Sequence, residues 1–510
     1  MHRTRIAAAA AALGMVVAVV SGCAGTTSSD TATARTTLVV ARAADVTTLN
    51  ADSVSSSQEG WETLELIADP LFTIDADGTI EPRVAESYSF DTTNTVLTIT
   101  LRSDAVFSNG DPVTSADVAF TIENAQKGEL QGALYADIQA ITTPDDQTVV
   151  IQYSEASSAA VTNLASYAVS IIPADFAGED EDAFWQDPIT VGAWTIASWD
   201  QGSQLTLERN DSYYGTKPTL QEIQFTTVPD ENTRLLQLQN GTVDLADGIT
   251  SASVDQIASD GSLQTVELPA AQDIFFTVNT TSGPMSDEHA RRAVSLAIDR
   301  SSIVAGALGG HGSVGGSFVV STAVGGYSPE FGSEYDADEA SAELAESAYP
   351  DGFDLDLMYS SSISGADAAM QIVQQDLAAV GITATLSALD DDAISAKMDS
   401  GDWDTYLANI IADTDAGAVL QYYSATNGFY CGDTSMIATV EGYYEQANAD
   451  FDGQDARNAI FAQALEAIAD SAVQIALYDT VRIWGASAEV QDLTALNTTG
   501  AIDFSTVTID

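Results

Sequence analysis

The chain has 510 residues, 16 Lys plus Arg against 75 Asp plus Glu, a formal net charge of −59, and 45% hydrophobic residues. A surface this acidic repels nucleic acid and anionic lipid, which argues against either as a partner. The large hydrophobic share, placed periodically, excludes a disordered chain, and the length suits about two to four domains.

At the N-terminus, His2, Arg3 and Arg5 precede an apolar run from Ile6 to Val20. That run is shorter than the about twenty residues a membrane-spanning helix needs, so residues 1–22 are expected to be a cleaved export signal. It ends in Val20-Ser21-Gly22-Cys23, which resembles a bacterial lipobox and makes Cys23 the expected lipidation site. The Gly/Ser/Thr/Ala-rich residues 23–35 read as a flexible tether. No second apolar stretch approaches spanning length, so the membrane is expected to be reached only through the lipid. Loss of the signal removes two arginines and no acids, leaving 14 cationic and 75 acidic residues, a net charge of −61. Cys431 is then the one remaining thiol, and the fold must rest on burial without an internal disulfide.

After the tether, alternation predicts a hairpin over Leu71–Ile80 turning at Asp77-Gly78, and a strand over Val96–Arg102. Thr114 and Asp117 have capping-box spacing, opening a helix over Ala116–Ala125. Asp146–Tyr153 returns as a strand. Thr195–Trp199 and Gln204–Glu208 form a second hairpin, followed by a strand over Ile223–Val228 and a helix over Glu231–Gln239 ending at Asn240-Gly241. Val243–Ala246 begins the next strand. Ser286 is expected to cap a helix over His289–Ile298, with Asp287 and Glu288 in the first turn. Strands over Phe353–Tyr359, Thr383–Leu389 and Thr405–Ile410 alternate with helices over Ala366–Val380 and Asp391–Ser400. This β-α-β-α-β order predicts a parallel open sheet, whose ligands bind beyond the carboxyl ends of the strands. Ala412–Gly417, after the last of these strands, is therefore the first candidate site. A long helix over Asp455–Asp470 and a strand over Val473–Tyr478 lead into a strand-like tail. No repeat and no Pro/Gly/Ser-rich linker follows residue 40, which predicts domains joined by crossing strands.

Catalytic and metal motifs are sparse. The three histidines are scattered, and Ser313 lacks the glycine pattern and preceding strand of a hydrolase nucleophile. A metal site built on His and Cys is not expected with Cys431 alone. Asp75, Asp77, Thr79 and Glu86 have calcium-loop offsets, but the glycine is misplaced and Pro82 interrupts, so the hairpin reading prevails. Gly309–Gly316 is glycine-rich yet carries no lysine and opens no helix; it is expected to be a mobile loop rather than a phosphate cradle.

Five blocks in order carry a family resemblance: Asp69–Ser87, Leu101–Val118, Leu207–Gly215, Phe276–Thr280 and Arg291–Arg300. Together they resemble the dipeptide, oligopeptide and nickel solute-binding proteins of ABC importers, extracellular solute-binding family 5. There are departures. The family's glycine-rich segment before the second hairpin is reduced to Val191-Gly192-Ala193-Trp194-Thr195, and the aromatic ahead of the ligand-binding aspartate is absent from Ile410–Ala416.

The resemblance implies an α/β, two-lobed periplasmic-binding-protein-like fold of type II with the extra domain of the peptide-binding cluster. Domain I would be 36–75, 188–268 and 484–510, domain II 76–187, and domain III 269–483. The ligand would be a peptide or other small solute held in the interlobe cleft by hinge closure. The partners would be ABC permease and ATPase subunits, with no cofactor and no chemistry on the solute. Asp413 matches the aspartate that pairs with a peptide's α-ammonium, with Asp415 as the fallback. Trp403, Tyr422, Ser56 and Trp61 are further candidate ligand contacts. Dipeptide binders carry an arginine for the ligand carboxylate just after the strand matching Leu355–Tyr359. Ser360–Ser364 has none, which favours an oligopeptide over a dipeptide. Alternatives are a sugar oligomer, a chelated metal, a solute-sensing or adhesive lipoprotein, or a secreted enzyme on the same scaffold. The chain is expected to be a monomer on the outer face of the cytoplasmic membrane.

Overall fold

The structure, a computed structural model, describes residues 35–51, 53–54, 58–74, 79–128, 132–316, 331, 334–411, 417, 420, 433–496 and 500–510. Its strands and helices follow the apolar periodicity closely. The helix Glu231–Gln239 ends at Gly241 with φ of +72°, and the helix Asp391–Ser400 starts after an Asp390 cap that accepts from the Ala393 amide. The helix Ser115–Ala125 opens with the Thr114 amide donating to Asp117 at 2.8 Å. Phe72–Ile74 pairs with Ile80–Pro82, and Trp194–Asp200 with Gln204–Arg209, as the two hairpins require.

Two expectations are corrected. Asp287, not Ser286, caps the helix Glu288–Ala297, accepting from the Ala290 amide, while Ser286 turns back to the Gly283 carbonyl. Both residues can cap, and the carboxylate adds charge at the helix N-terminus. The glycine-rich segment is not only a loop. Ser313–Val314 pairs as a short strand with Asp479 and Tyr478. Gly312, at φ of +140°, lets the chain pass so closely that a Cβ would lie 2.8 Å from the Asp479 carbonyl oxygen.

One mixed sheet of eleven strands organises the molecule. Its path runs from Thr383–Ala388 through Asp354–Tyr359, Thr405–Ile411, Leu263–Val278, Gln474–Ser487, Leu245–Ala246, Thr37–Arg42, Glu222–Thr227 and Gln204–Arg209 to Trp194–Asp200. The first three of these are mutually parallel, joined by the helices Ala366–Ala379 and Asp391–Ser400. A separate antiparallel sheet orders Ala85–Phe90, Val96–Leu101, Thr148–Tyr153 and Ile138–Asp145, with the helix Ser115–Ala125 packed on it.

Two strands in the middle are unusually long, 16 residues for Leu263–Val278 and 14 for Gln474–Ser487, against a typical five or six. They pair with each other along their length and pass from one core to another. Leu263–Leu268 lies with Arg482–Ser487 beside the strand Leu245–Ala246. Ile274–Val278 lies between Thr405–Ile411 and Gln474–Tyr478. Between these halves the register shifts, from Pro269 opposite Val481 to Asp273 opposite Asp479.

The cores match this division. One lobe buries Leu38, Leu64, Leu97, Val149, Trp194 and Phe225 in a single cluster that includes the four-stranded sheet. In the other, alternation along the long strand sends Ile274, Phe276 and Val278 to a core with Met370 and Leu407, and Phe275 to a core with Val440 and Phe461. A strand buried on both faces reads as a near-continuous apolar run, as Ile274–Val278 does with Thr277 its one polar residue.

Candidate functional site

The seam between the lobes is where chain ends of the parallel strands open. Thr405 pairs with Val278 and Ile411 with Gln272, so the strand Thr405–Ile411 runs toward the register shift and stops beside it. Asp354–Tyr359 runs parallel to it, and its following loop is tied down where Tyr478 Oη donates to the Ser364 carbonyl at 2.9 Å. Asp413 and Asp415 lie outside the described residues, as do Ser56, Tyr422 and Cys23.

The two remaining candidates are placed differently. Trp61, on the helix Gln58–Ile67, is 6% exposed and stacked on Tyr167 with ring centroids 6.1 Å apart. It is followed by Glu62, which reaches the seam. Trp403 precedes Thr405 at the opposite end of its strand, where Asn279 Nδ2 donates to its carbonyl at 2.9 Å. Six strand residues, about 20 Å, separate that end from the seam.

On one side of the seam lies a buried ion network. Arg482 of the long strand reaches both Glu62 and Asp247. Its Nη2 is 3.3 Å from Glu62 Oε2 and 2.7 Å from Asp247 Oδ2, with Nε 2.9 Å from Asp247 Oδ1. Arg42 approaches Glu62 at 3.9 Å, donates to Thr63 Oγ1 at 2.9 Å and stacks over Phe225 at 3.6 Å. Burial opposes the Asp247 charge, but Arg482 outweighs it and holds the carboxyl below its usual range. Burial likewise lowers Arg42, whereas Asp247 and Glu62 together raise Arg482 against its own burial. The two cations and two anions cancel, and they fasten the long strand Gln474–Ser487 to the helix that carries Trp61.

On the other side, Asp273 and Asp479 face each other across the two long strands, 0% and 3% exposed. Burial, and then the neighbouring Asp479, push the Asp273 carboxyl well above its ordinary range. A proton on Asp273 removes the repulsion between the two carboxylates and lets its carboxyl donate to Asp479. Arg300, 1% exposed and drawn down to about 10 by burial, adds a cation whose field favours the shared negative charge.

The sign of the resulting pH dependence follows. The folded state keeps a proton that an unfolded aspartate gives up above about pH 4. Stability from this pair is therefore full below that pH and falls as pH rises through the folded pKa. Asp273→Asn carries a donor at every pH and is expected to remove the fall. Thermal melts of variant and wild type should lie closest near pH 4 and separate toward pH 9, with the variant higher. Parallel curves would dismiss the shared proton.

A second, non-covalent connection joins the lobes. The Ser158 amide donates to the Asn448 carbonyl at 2.9 Å and Ser158 Oγ to the Ala447 carbonyl at 2.8 Å. Phe90, ending a strand of the four-stranded sheet, meets Phe451 edge-on at 5.6 Å. The lobes are thus in contact both through the strands and through this polar and aromatic latch.

Residues 79–430 match the family described as bacterial extracellular solute-binding proteins, family 5 (its middle region). The chain is a family 5 solute-binding protein. Family 5 proteins are the extracytoplasmic binding components of ABC importers and are not enzymes. The chain is 24% identical over 462 residues to the "Probable D,D-dipeptide-binding periplasmic protein DdpA" of Escherichia coli K12, covering 86% of this chain and 88% of that one. It is 27% identical over 325 residues to the "Glutathione-binding protein GsiB" of Salmonella paratyphi A, a match spanning 63% of each chain, just under two thirds of that relative. The fold superposes on NikA of Brucella suis with a TM-score of 0.82 at 22% identity, covering 93% of this chain and all of that one. The two-lobed α/β fold is that of the periplasmic binding proteins of the peptide-binding cluster.

Sequence reasoning missed Glu62, Asp247, Arg482, Asp273 and Asp479. A signal was present. Asp273, Asp479 and Arg482 each interrupt an apolar strand run, and charges in such runs are almost never fully buried unless paired. Among the described residues no helix is long and apolar enough to cross a membrane, and no group of three or more His, Cys, Asp or Glu could hold a metal.

Proposed function

We propose that this family 5 protein captures peptides, oligopeptides in preference to dipeptides, in the cleft between its lobes and passes them to its permease. What carries the reading is the convergence of strand ends at the seam, where Ile411 stops beside the register shift and Asp413 follows. The ligands for which these relatives are named, a D,D-dipeptide and glutathione, are peptides as well. The protein acts as a monomer, divided into the three domains expected from the sequence and tied to the outer face of the membrane through lipid on Cys23. Ligand closes the lobes about the two long strands and is released unchanged.

The test uses protein purified without denaturation. Native mass spectrometry should find bound peptide of unaltered mass, and adding that peptide back should raise the Tm by mass action. Solution scattering should show a smaller radius of gyration with peptide than without. Cleaved peptide, or saturation that leaves scattering unchanged, would contradict the reading.

A further inference from the structure

A cavity of about 50 Å³ lies beside the last turn of the helix Gln58–Ile67. Glu65, Asp69, Thr73, Arg83, Ser166 and Tyr167 are among the residues that line it. Neither the ion network at the seam nor the buried aspartate pair contributes a side chain. Backbone bonds fix its walls: the Arg83 amide donates to the Leu71 carbonyl at 2.9 Å, and the Ile171 amide to the Asp69 carbonyl at 3.0 Å. Leu71, Tyr167 and Ile171 all belong to the core of one lobe, so the cavity is part of that lobe.

Its charged groups are incompletely matched. Among the described residues the Arg83 guanidinium makes one hydrogen bond, to Tyr213 Oη at 3.3 Å, and no ion pair. Asp69 acts on it through space. Asp69 is 6% exposed and accepts from Tyr213 Oη at 2.7 Å and Tyr214 Oη at 2.5 Å. Both bonds fall on Oδ2, and Oδ1 receives none. Tyr213 thus stands between cation and anion, accepting from one and donating to the other. Ser166 Oγ accepts from the Ala168 amide at 3.2 Å, which leaves its own hydrogen to donate.

A guanidinium presents a fork of N–H donors, and a buried donor without an acceptor loses its hydration for nothing. The space holds roughly three or four waters, which is also the room that the smallest amino acids need. A carboxylate matches the guanidinium fork with two acceptors. The carboxyls of Asp69 and Glu65 suit an ammonium. A lone anion would meet those two carboxyls, and a lone cation would meet Arg83.

We propose that this cavity is a second ligand site, which takes a small zwitterion, an α-amino acid of glycine's size, with its carboxylate on Arg83 and its ammonium toward Asp69 and Glu65. It stands apart from the capture of peptides and does not depend on it.

Calorimetry on the purified chain with glycine, acetate and methylammonium tests the assignment. Glycine is expected to bind at least tenfold more tightly than either of the others, because each carries only one of its two charges. Arg83→Met is expected to abolish glycine binding. Glu65→Gln, on the half-buried rim, is expected to weaken glycine by about tenfold, the worth of a hydrogen bond to a charged group, while acetate binds no worse. General damage would weaken both, so this variant decides the matter even if Arg83→Met fails to fold. Glycine binding that survives Arg83→Met, acetate that matches glycine, or equal losses of both in Glu65→Gln would overturn the proposal. So would a wild-type chain that takes up no glycine, since the cavity would then hold water alone.

Discussion

Arg482→Met is expected to lower the unfolding free energy by about 3–5 kcal/mol, the usual cost of removing one partner from a buried ion pair. Methionine fills most of the space of the arginine stem, so the loss is electrostatic rather than a cavity effect. What remains is Glu62 and Asp247, both buried, with Arg42 reaching only Glu62 and only at 3.9 Å. Urea titration followed by tryptophan fluorescence should show an earlier midpoint with an unchanged slope. Adding Glu62→Gln and Asp247→Asn to the same chain should recover much of the loss, because the stranded charges are then gone. A single-variant loss below about 1 kcal/mol would mean that the network behaves like a surface pair.

Asp413→Asn is expected to weaken binding of a peptide with a free amino terminus by about a hundredfold. Leaving a buried ammonium without its carboxylate costs about 3–5 kcal/mol, or about two to four decades in affinity, of which the lower end is expected where water reaches the site. The N-acetylated peptide should bind wild type poorly and lose little further in the variant. Calorimetry on the four combinations isolates the pair from general damage to the cleft. Independent, additive losses would remove Asp413 as the ammonium partner and make Asp415 the next candidate.

Local structure was legible wherever one residue type had one physical use. Gly241 after Gln239, Asp390 before Asp391 and the alternation over Val96–Leu101 each set an element to within a residue. The helix cap at 286–287 was harder, because a serine and an aspartate compete for the same role. The long strands were only half visible. Val473–Tyr478 read as a strand, but Asp479 and Arg482 break its apolar run, and Leu263–Val278 did not read as one, with Pro269 breaking its run. Those same interruptions are the register shift and the buried charges, so what obscured the strands is what builds the seam. For the site, the sequence offers the segment after Thr405–Ile411, which lies outside the described residues apart from Gly417. Trp403, one of the further candidate contacts, stands at the other end of that strand, about 20 Å from the seam. Pairings such as Arg482 with Glu62 span hundreds of residues, and no local pattern carries them.

The lobes share a long ladder that is interrupted twice, more widely at its middle. Between Pro269 opposite Val481 and Asp273 opposite Asp479, three residues of one strand face Thr480 alone, and proline contributes no amide hydrogen. Such a joint works like a leaf spring. Its paired stretches resist bending on either side, and flexure concentrates in the few millionths of a millimetre where rungs are missing. For the closing motion proposed above, that joint is where bending would cost fewest hydrogen bonds, and bridging it is expected to stiffen the connection without altering either core.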